Sequence, residues 1–304
     1  ARKTAKLAVK YLNSEKFEKS LETARLSLHY ASIIKDNYLI AASYNIIAAN
    51  FDELSEYDKA ILFYKKGLTY ANKTDNDTIK NYINNNLGNV YCFEKKQYKN
   101  GINHYKKSLE YSEKDADTIQ IVFTKLNIAW AYFDIKEYEN GIPYLEYVNK
   151  YYSKFGEEST IVVFHMLNGM YYSHLGLNEK AEPFFLKAIE LGKKNKEMND
   201  LSFSHDEYSK FLLKKGDYKK AFENLERYNN ITQNIYSEGL LKKANIAGIN
   251  LELDEYKREI DRIEEENKLY VKSLSINKTI NILLISLYVI IGILFILLYR
   301  NHKI

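Results

Sequence analysis

Residues 87–109 read LGNVYCFEKKQYKNGINHYKKSL, and this stretch decides the fold. It places a small residue (Gly88) three before an aromatic (Tyr91). A second small residue (Gly101) follows, three after one aromatic (Tyr98) and four before another (Tyr105). Small residues at helical spacing let two backbones approach, and aromatics a turn away fill the gap beside them. The stretch therefore predicts two antiparallel helices joined by a short turn.

The same grammar recurs along the chain. Ser20, Ala60, Gly101, Gly141, Ala181 and Ala221 are separated by 40, 41, 40, 40 and 40 residues. Phe17, Tyr57, Tyr98, Tyr138 and Tyr218 precede these anchors, with Asn178 as the exception. Four places after each come Ala24, Tyr64, Tyr105, Leu145, Phe185 and Leu225. A second small residue lies twelve places before each anchor, or thirteen in one unit: Ala8, Ala48, Gly88, Ala129, Gly169 and Ser209. Leu54-Ser55-Glu56, Gly176-Leu177-Asn178 and Gly216-Asp217 mark turns within units. A fixed period of this length predicts stacked hairpins, an all-α solenoid of about six helix pairs over residues 1–230.

These positions resemble the tetratricopeptide repeat, most fully at Leu87–Tyr91 with Tyr98–Gly101 and at Gly216–Ala221. The period of 40 exceeds that family's usual 34, and its closing proline is absent. Pro143 and Pro183, the only two prolines, fall near the starts of second helices, where a missing N–H is tolerated. In that family the first helix of each unit lines a concave binding face. The resemblance thus implies a partner-binding groove of Asn85, Asn89 and Phe93, then Phe123, Leu126, Trp130 and Phe133, then Val163, Met166, Met170 and His174. Phe203, Asp206, Lys210 and Lys214 continue it. Asn85 and Asn89, one turn apart, are expected to bracket a peptide backbone. The methionines suit a permissive surface. The expected partner is a protein or peptide; the family's basic clamp for chaperone tails is not reproduced.

Composition fits a helix-rich chain. Of 304 residues 46% are hydrophobic, and 44 basic against 40 acidic residues leave a charge of +4, too even for a polyanion-binding surface. The 28 tyrosines follow from repeat positions that accept tyrosine. The single cysteine, Cys92, excludes an intrachain disulfide framework and leaves the redox compartment open. There is no phosphate loop, zinc-protease pair or nucleophile elbow. His205-Asp206-Glu207 superficially matches a phosphoacceptor helix but sits at a repeat position, and His165 with His174 make a poor metal site. No catalytic residue, metal or cofactor is predicted.

Beyond the repeats, residues 231–278 form a predicted helical linker. A three-four stripe runs Ile246, Ile249, Leu253, Tyr256, Ile260, Ile263, Asn267, Tyr270 and Leu274 among charged residues. Two readings stand: the seam of a dimeric coiled-coil stalk, with Asn267 setting register, or a helix capping the sixth repeat. Ile280–Tyr299 reads INILLISLYVIIGILFILLY, which predicts a transmembrane helix at 279–299. A short basic tail at 300–304 follows, read as truncated. The chain starts Ala1-Arg2-Lys3, without methionine, as after leader removal or inside a longer protein.

This order resembles bacterial membrane signalling proteins common in Bacteroidetes, with an extracytoplasmic repeat array and a histidine kinase or helix-turn-helix output beyond the span. The resemblance implies a sensory input domain, with periplasmic repeats and a cytoplasmic C-terminus. The alternative is a tail-anchored adaptor whose repeats face the cytosol.

Overall fold

The computed structural model describes residues 1–241, 265, 268–282 and 284. The chain divides into two units, Ala1–Asn245 and Ile246–Ile304.

The first unit is an all-α solenoid. Its helices are α1 (Arg2–Leu12), α2 (Phe17–Ile33), α3 (Asn37–Glu53), α4 (Tyr57–Ala71), α5 (Asp77–Asn89), α6 (Tyr98–Lys114), α7 (Thr118–Asp134), α8 (Tyr138–Phe155), α9 (Ile161–His174), α10 (Asn178–Asn195) and α11 (Met198–Lys215). Residues 218–241 are helical and are termed α12. Consecutive odd and even helices form the hairpins read from the sequence.

The hairpins close for the reason the spacing implied. A Cβ built on Gly88 would lie 2.4 Å from the Tyr105 ring, and one on Gly169 would lie 2.8 Å from Phe185. A Cβ on Gly101 would meet Cys92 Sγ at 2.2 Å and Gly88 O at 2.9 Å. Each contact leaves room for hydrogen only. At the first anchor, Ser20 Oγ donates to Ala8 O at 2.9 Å and accepts from Asn50 Nδ2 at 2.9 Å, tying the first hairpin to the second.

The turns inside the hairpins repeat as regularly. One left-handed residue closes each: Glu15, Ser55, Lys96, Lys136, Gly176 and Gly216. Such a φ costs a side-chain-bearing residue about 1–2 kcal/mol. Only the last two turns relieve it with glycine. Between hairpins, Asp36, Asn76 and Asp117 cap α3, α5 and α7, accepting from the backbone N–H of Leu39, Ile79 and Gln120 at 3.0, 2.9 and 3.1 Å.

The thirteen-residue spacing between Gly88 and Gly101 has a structural counterpart. After Asn89 the chain runs through a π-helical turn, Val90–Glu94, before the hairpin reverses. A π turn accommodates one extra residue inside a helix. The insertion is absorbed there, and later anchors keep their phase.

Odd-numbered helices touch one another along the stack, α1 with α3, α3 with α5, α7 with α9 and α9 with α11. Asn127 Nδ2 donates to Asn85 Oδ1, which joins α5 and α7. Among the described residues, no two even-numbered helices touch to a comparable extent. The odd helices therefore form the inner curve.

In the second unit, residues 268–282 are helical and exposed. Here the membrane expectation is corrected. Among the described residues no helix is long and apolar enough to cross a membrane. The described helix 268–282 carries Lys268, Lys272 and Lys278, all before residue 279, so it is not itself an apolar span. This overturns the transmembrane helix expected at 279–299 and the single-pass location built on it, and with them the periplasmic and tail-anchored arrangements. Residues 283 and 285–299 of that stretch lie outside the described residues, as do Leu253, Tyr256, Ile260, Ile263 and Asn267 of the proposed seam. Tyr270 and Leu274 are described and exposed.

Candidate inner-face binding site

The inner face has two different halves. At the N-terminal end an open cleft of about 910 Å³ lies between α1, α3 and the start of α5. Arg2, Ala5, Lys6 and Val9 of α1 form one wall. Tyr38, Leu39, Ala42, Asn45 and Ile46 of α3 form the floor, and Asp36, Thr74, Asp75, Asn76 and Ile79 complete the rim. The floor is mostly apolar, with Asn45 its amide, and the rim is polar and carries two carboxylates.

Asparagines carry the face onward from this cleft. Asn86 Nδ2 donates to Asn45 Oδ1 at 3.2 Å, and Asn127 Nδ2 donates to Asn85 Oδ1 at 3.2 Å. Each rung joins one odd helix to the next. Asn85 is buried, and Asn89 accepts a hydrogen bond from Tyr105 Oη at 2.6 Å. The carbonyl oxygens of both asparagines thus serve the packing of the solenoid.

The π turn sets the boundary of this polar half. It carries Phe93 against Trp130, with ring centroids 4.3 Å apart, and Trp130 meets Phe203 edge-on at 5.3 Å. Trp130 belongs to α7 and Phe203 to α11, so these rings bridge two helices that α9 separates in sequence. The C-terminal half is closed accordingly. Phe133, Met166 and Met170 are buried at 1%, 0% and 4% exposure within one core cluster. They pack between helices and offer no surface to a partner. Leu126 and Val163 are buried with them, whereas Phe123 remains half-buried.

His174 is exposed and stacks on Tyr138 at 4.2 Å, with Nε2 3.4 Å from Glu139 Oε1. Lys210 pairs with Asp206 at 2.8 Å and Glu207 at 2.6 Å, and Lys214 donates to Ser173 O. His205 is buried, its Nδ1 2.8 Å from Asn224 Oδ1. Among the described residues, no group of three His, Cys, Asp or Glu side chains is arranged to hold a metal ion.

Carboxylates gather beside the π turn. Burial, with Glu94 and Glu53 nearby, pushes the Asp52 carboxyl up to about 7, while a hydrogen bond with Tyr64 opposes the shift. In the other half, burial and the neighbouring Glu197 push Asp200 up to about 7. Cys92 is buried beside Asp134, and burial followed by that carboxylate raises its thiol to about 12, so it stays protonated. Tyr98 Oη donates to Asp134, and Lys96 Nζ lies 3.8 Å from the same carboxylate.

Sequence reading missed the cleft residues Arg2, Lys6, Asp36 and Asp75, and the rungs from Asn86 and Asn127. A signal for the rungs was available: Asn45 and Asn85 are 40 apart, and Asn86 and Asn127 are 41 apart.

Two segments, residues 82–115 and 165–195, match the family model described as Tetratricopeptide repeat. They cover most of the third hairpin, with its π turn, and most of the fifth. A search of curated protein sequences finds no match. Among solved structures, the fold is similar to the apo form of RapI, with a TM-score of 0.62 and 18% identity over 77% of this chain and 83% of that one. Aspartyl phosphate phosphatase F from Bacillus subtilis gives a TM-score of 0.62 and 16% identity, over 76% of this chain and 59% of that one. A Rap protein complexed with Competence and Sporulation Factor gives 0.60 and 15%, over 77% of this chain and 64% of that one. At these identities the likeness is one of fold: an all-α repeat solenoid of the tetratricopeptide type.

Proposed function

We propose that this chain is a recognition scaffold that binds an extended peptide or protein segment along the inner face of its odd-numbered helices. The observation that carries the reading is the cleft of about 910 Å³ on that face, with its mostly apolar floor and polar rim. A site of this kind buries side chains of a ligand while the rim fixes its orientation. Asn89 and Phe93, half-buried at the π turn, extend the available surface as far as the boundary with the sealed half. The similar fold of a Rap protein complexed with Competence and Sporulation Factor supports the reading by analogy.

The sensory form of this proposal adds one requirement. A ligand carries a signal only if it binds two curvatures of the solenoid with different affinity. Small-angle scattering with and without bound ligand tests that form.

Binding itself is tested by selecting a displayed random-peptide library on the full chain. Selected peptides are expected to bind with micromolar or tighter Kd and to be displaced by one another. Selection that enriches no binding sequence overturns the proposal.

A further inference from the structure

The two walls of the N-terminal cleft carry opposite charge. Arg2 and Lys6 stand one helical turn apart on α1, both exposed, and among the described residues neither takes part in an ion pair. Asp75 lies across the floor, just before α5, and Asp36 stands on the rim at the N-terminal end of the floor helix α3. Asp36 uses Oδ1 to cap α3, which leaves its second oxygen at the rim, and Asp75 is exposed. Between the walls the floor includes Leu39, Ala42 and Ile46 and no charged side chain. A ligand lying across this cleft meets cations at one end, hydrocarbon in the middle and carboxylates at the other.

We propose that the cleft selects a linear peptide segment by charge order, with an acidic group against Arg2 and Lys6, apolar side chains over Ala42 and Ile46, and a basic group against Asp36 and Asp75. This rests on the recognition reading above and narrows it to one end of the inner face and one class of ligand. Complementary potentials suppress wrong partners, because like charges then face each other across a partly desolvated gap. A segment charged alike at both ends satisfies one wall and is repelled by the other. Because Arg2, Lys6 and Asp75 are exposed, the selection weakens as salt rises.

The test uses the full chain and three fluorescent peptide pools of equal length and identical apolar centres. One pool is acidic at one end and basic at the other, in both directions. The second is acidic at both ends, and the third basic at both. The mixed pool is expected to bind at least tenfold tighter than either other pool at low salt. The double variant Arg2→Glu/Lys6→Glu, at exposed positions, is expected to transfer the preference to the pool with two basic ends. Circular dichroism confirms that the variant is folded. Equal binding of all pools, or a preference unmoved by the double variant, overturns the charge-order proposal. If the pools fail while library-selected peptides bind, the ligand lies elsewhere on the inner face and only this narrower proposal falls. If neither binds, the recognition reading falls with it.

Discussion

The two halves of the inner face are built from the same hairpins and end in different surfaces. From α3 to α7 the odd helices meet through asparagine rungs, Asn45 with Asn86 and Asn85 with Asn127, and an open cleft remains at the N-terminal end. In the last three they meet through rings and thioethers, with Trp130 reaching Phe203, and the face is sealed. Side-chain reach makes the difference. An amide bridges one helix to its neighbour, whereas an indole passes the neighbour and meets the helix beyond. A repeat thus sets the backbone path, and single side chains decide which part of the path stays open.

The largest expected effect comes from breaking the seal. Trp130→Ala should cost about 3 kcal/mol, the lower end for loss of a packed aromatic because Trp130 is half-buried. Hydrogen exchange should speed up in α7, α9 and α11 and stay unchanged in α1 and α3. Uniform loss of protection would show that the halves do not differ in stability as they do in surface. Next is the hairpin at the boundary. Gly88→Ala drives a methyl into Tyr105 and should cost about 2 kcal/mol in a denaturant titration. An unchanged midpoint would mean that the third hairpin relaxes freely.

A rung should be worth less than the seal. Asn85→Ala strands the buried Asn127 amide and should cost about 1 kcal/mol. In a double-mutant cycle with Asn127→Ala, the two changes should be strongly non-additive. Additive losses would reduce the rungs to coincidental contacts.

A further effect depends on pH and applies to both halves. Asp52 and Asp200 have folded-state values of about 7, above the ordinary 3.8. Between those values the folded chain binds more protons than the unfolded chain, so both groups lower stability as pH rises from about 4 to about 7. Asp52→Asn should therefore raise Tm more at pH 8 than at pH 4, and Asp200→Asn likewise. A benefit equal at both pH values would show that neither carboxyl titrates in this window.

Much of the scaffold was legible because it rests on local rules. The small residues at Gly88, Gly101 and Gly169 sit where paired helices meet, as their spacing implied, although the rings on Gly88 and Gly169 come from the following helix and Cys92 takes that place on Gly101. Turn residues such as Ser55, Gly176 and Gly216 recur at the same period. The surface was less legible. Helical phase correctly put Met166 and Phe133 on odd helices, yet phase does not report that rings from α7 and α11 seal that end. Asn85 and Asn89 stand at the expected spacing, but their carbonyls bond to Asn127 and Tyr105, partners from helices that the spacing of one helix cannot reveal. The apolar run after Ile280 was read as a membrane span from sequence alone. Among the described residues, the helix that leads into it carries three lysines, and no helix there is long and apolar enough to cross a membrane.

The π turn at Val90–Glu94 has a consequence for engineering. A change of one residue in chain length, placed inside a helix, leaves the hairpins on either side in register. Units from regular 40-residue arrays can therefore be grafted on either side of this joint without a compensating loop, and deleting one residue from it offers a route to a third hairpin of standard length.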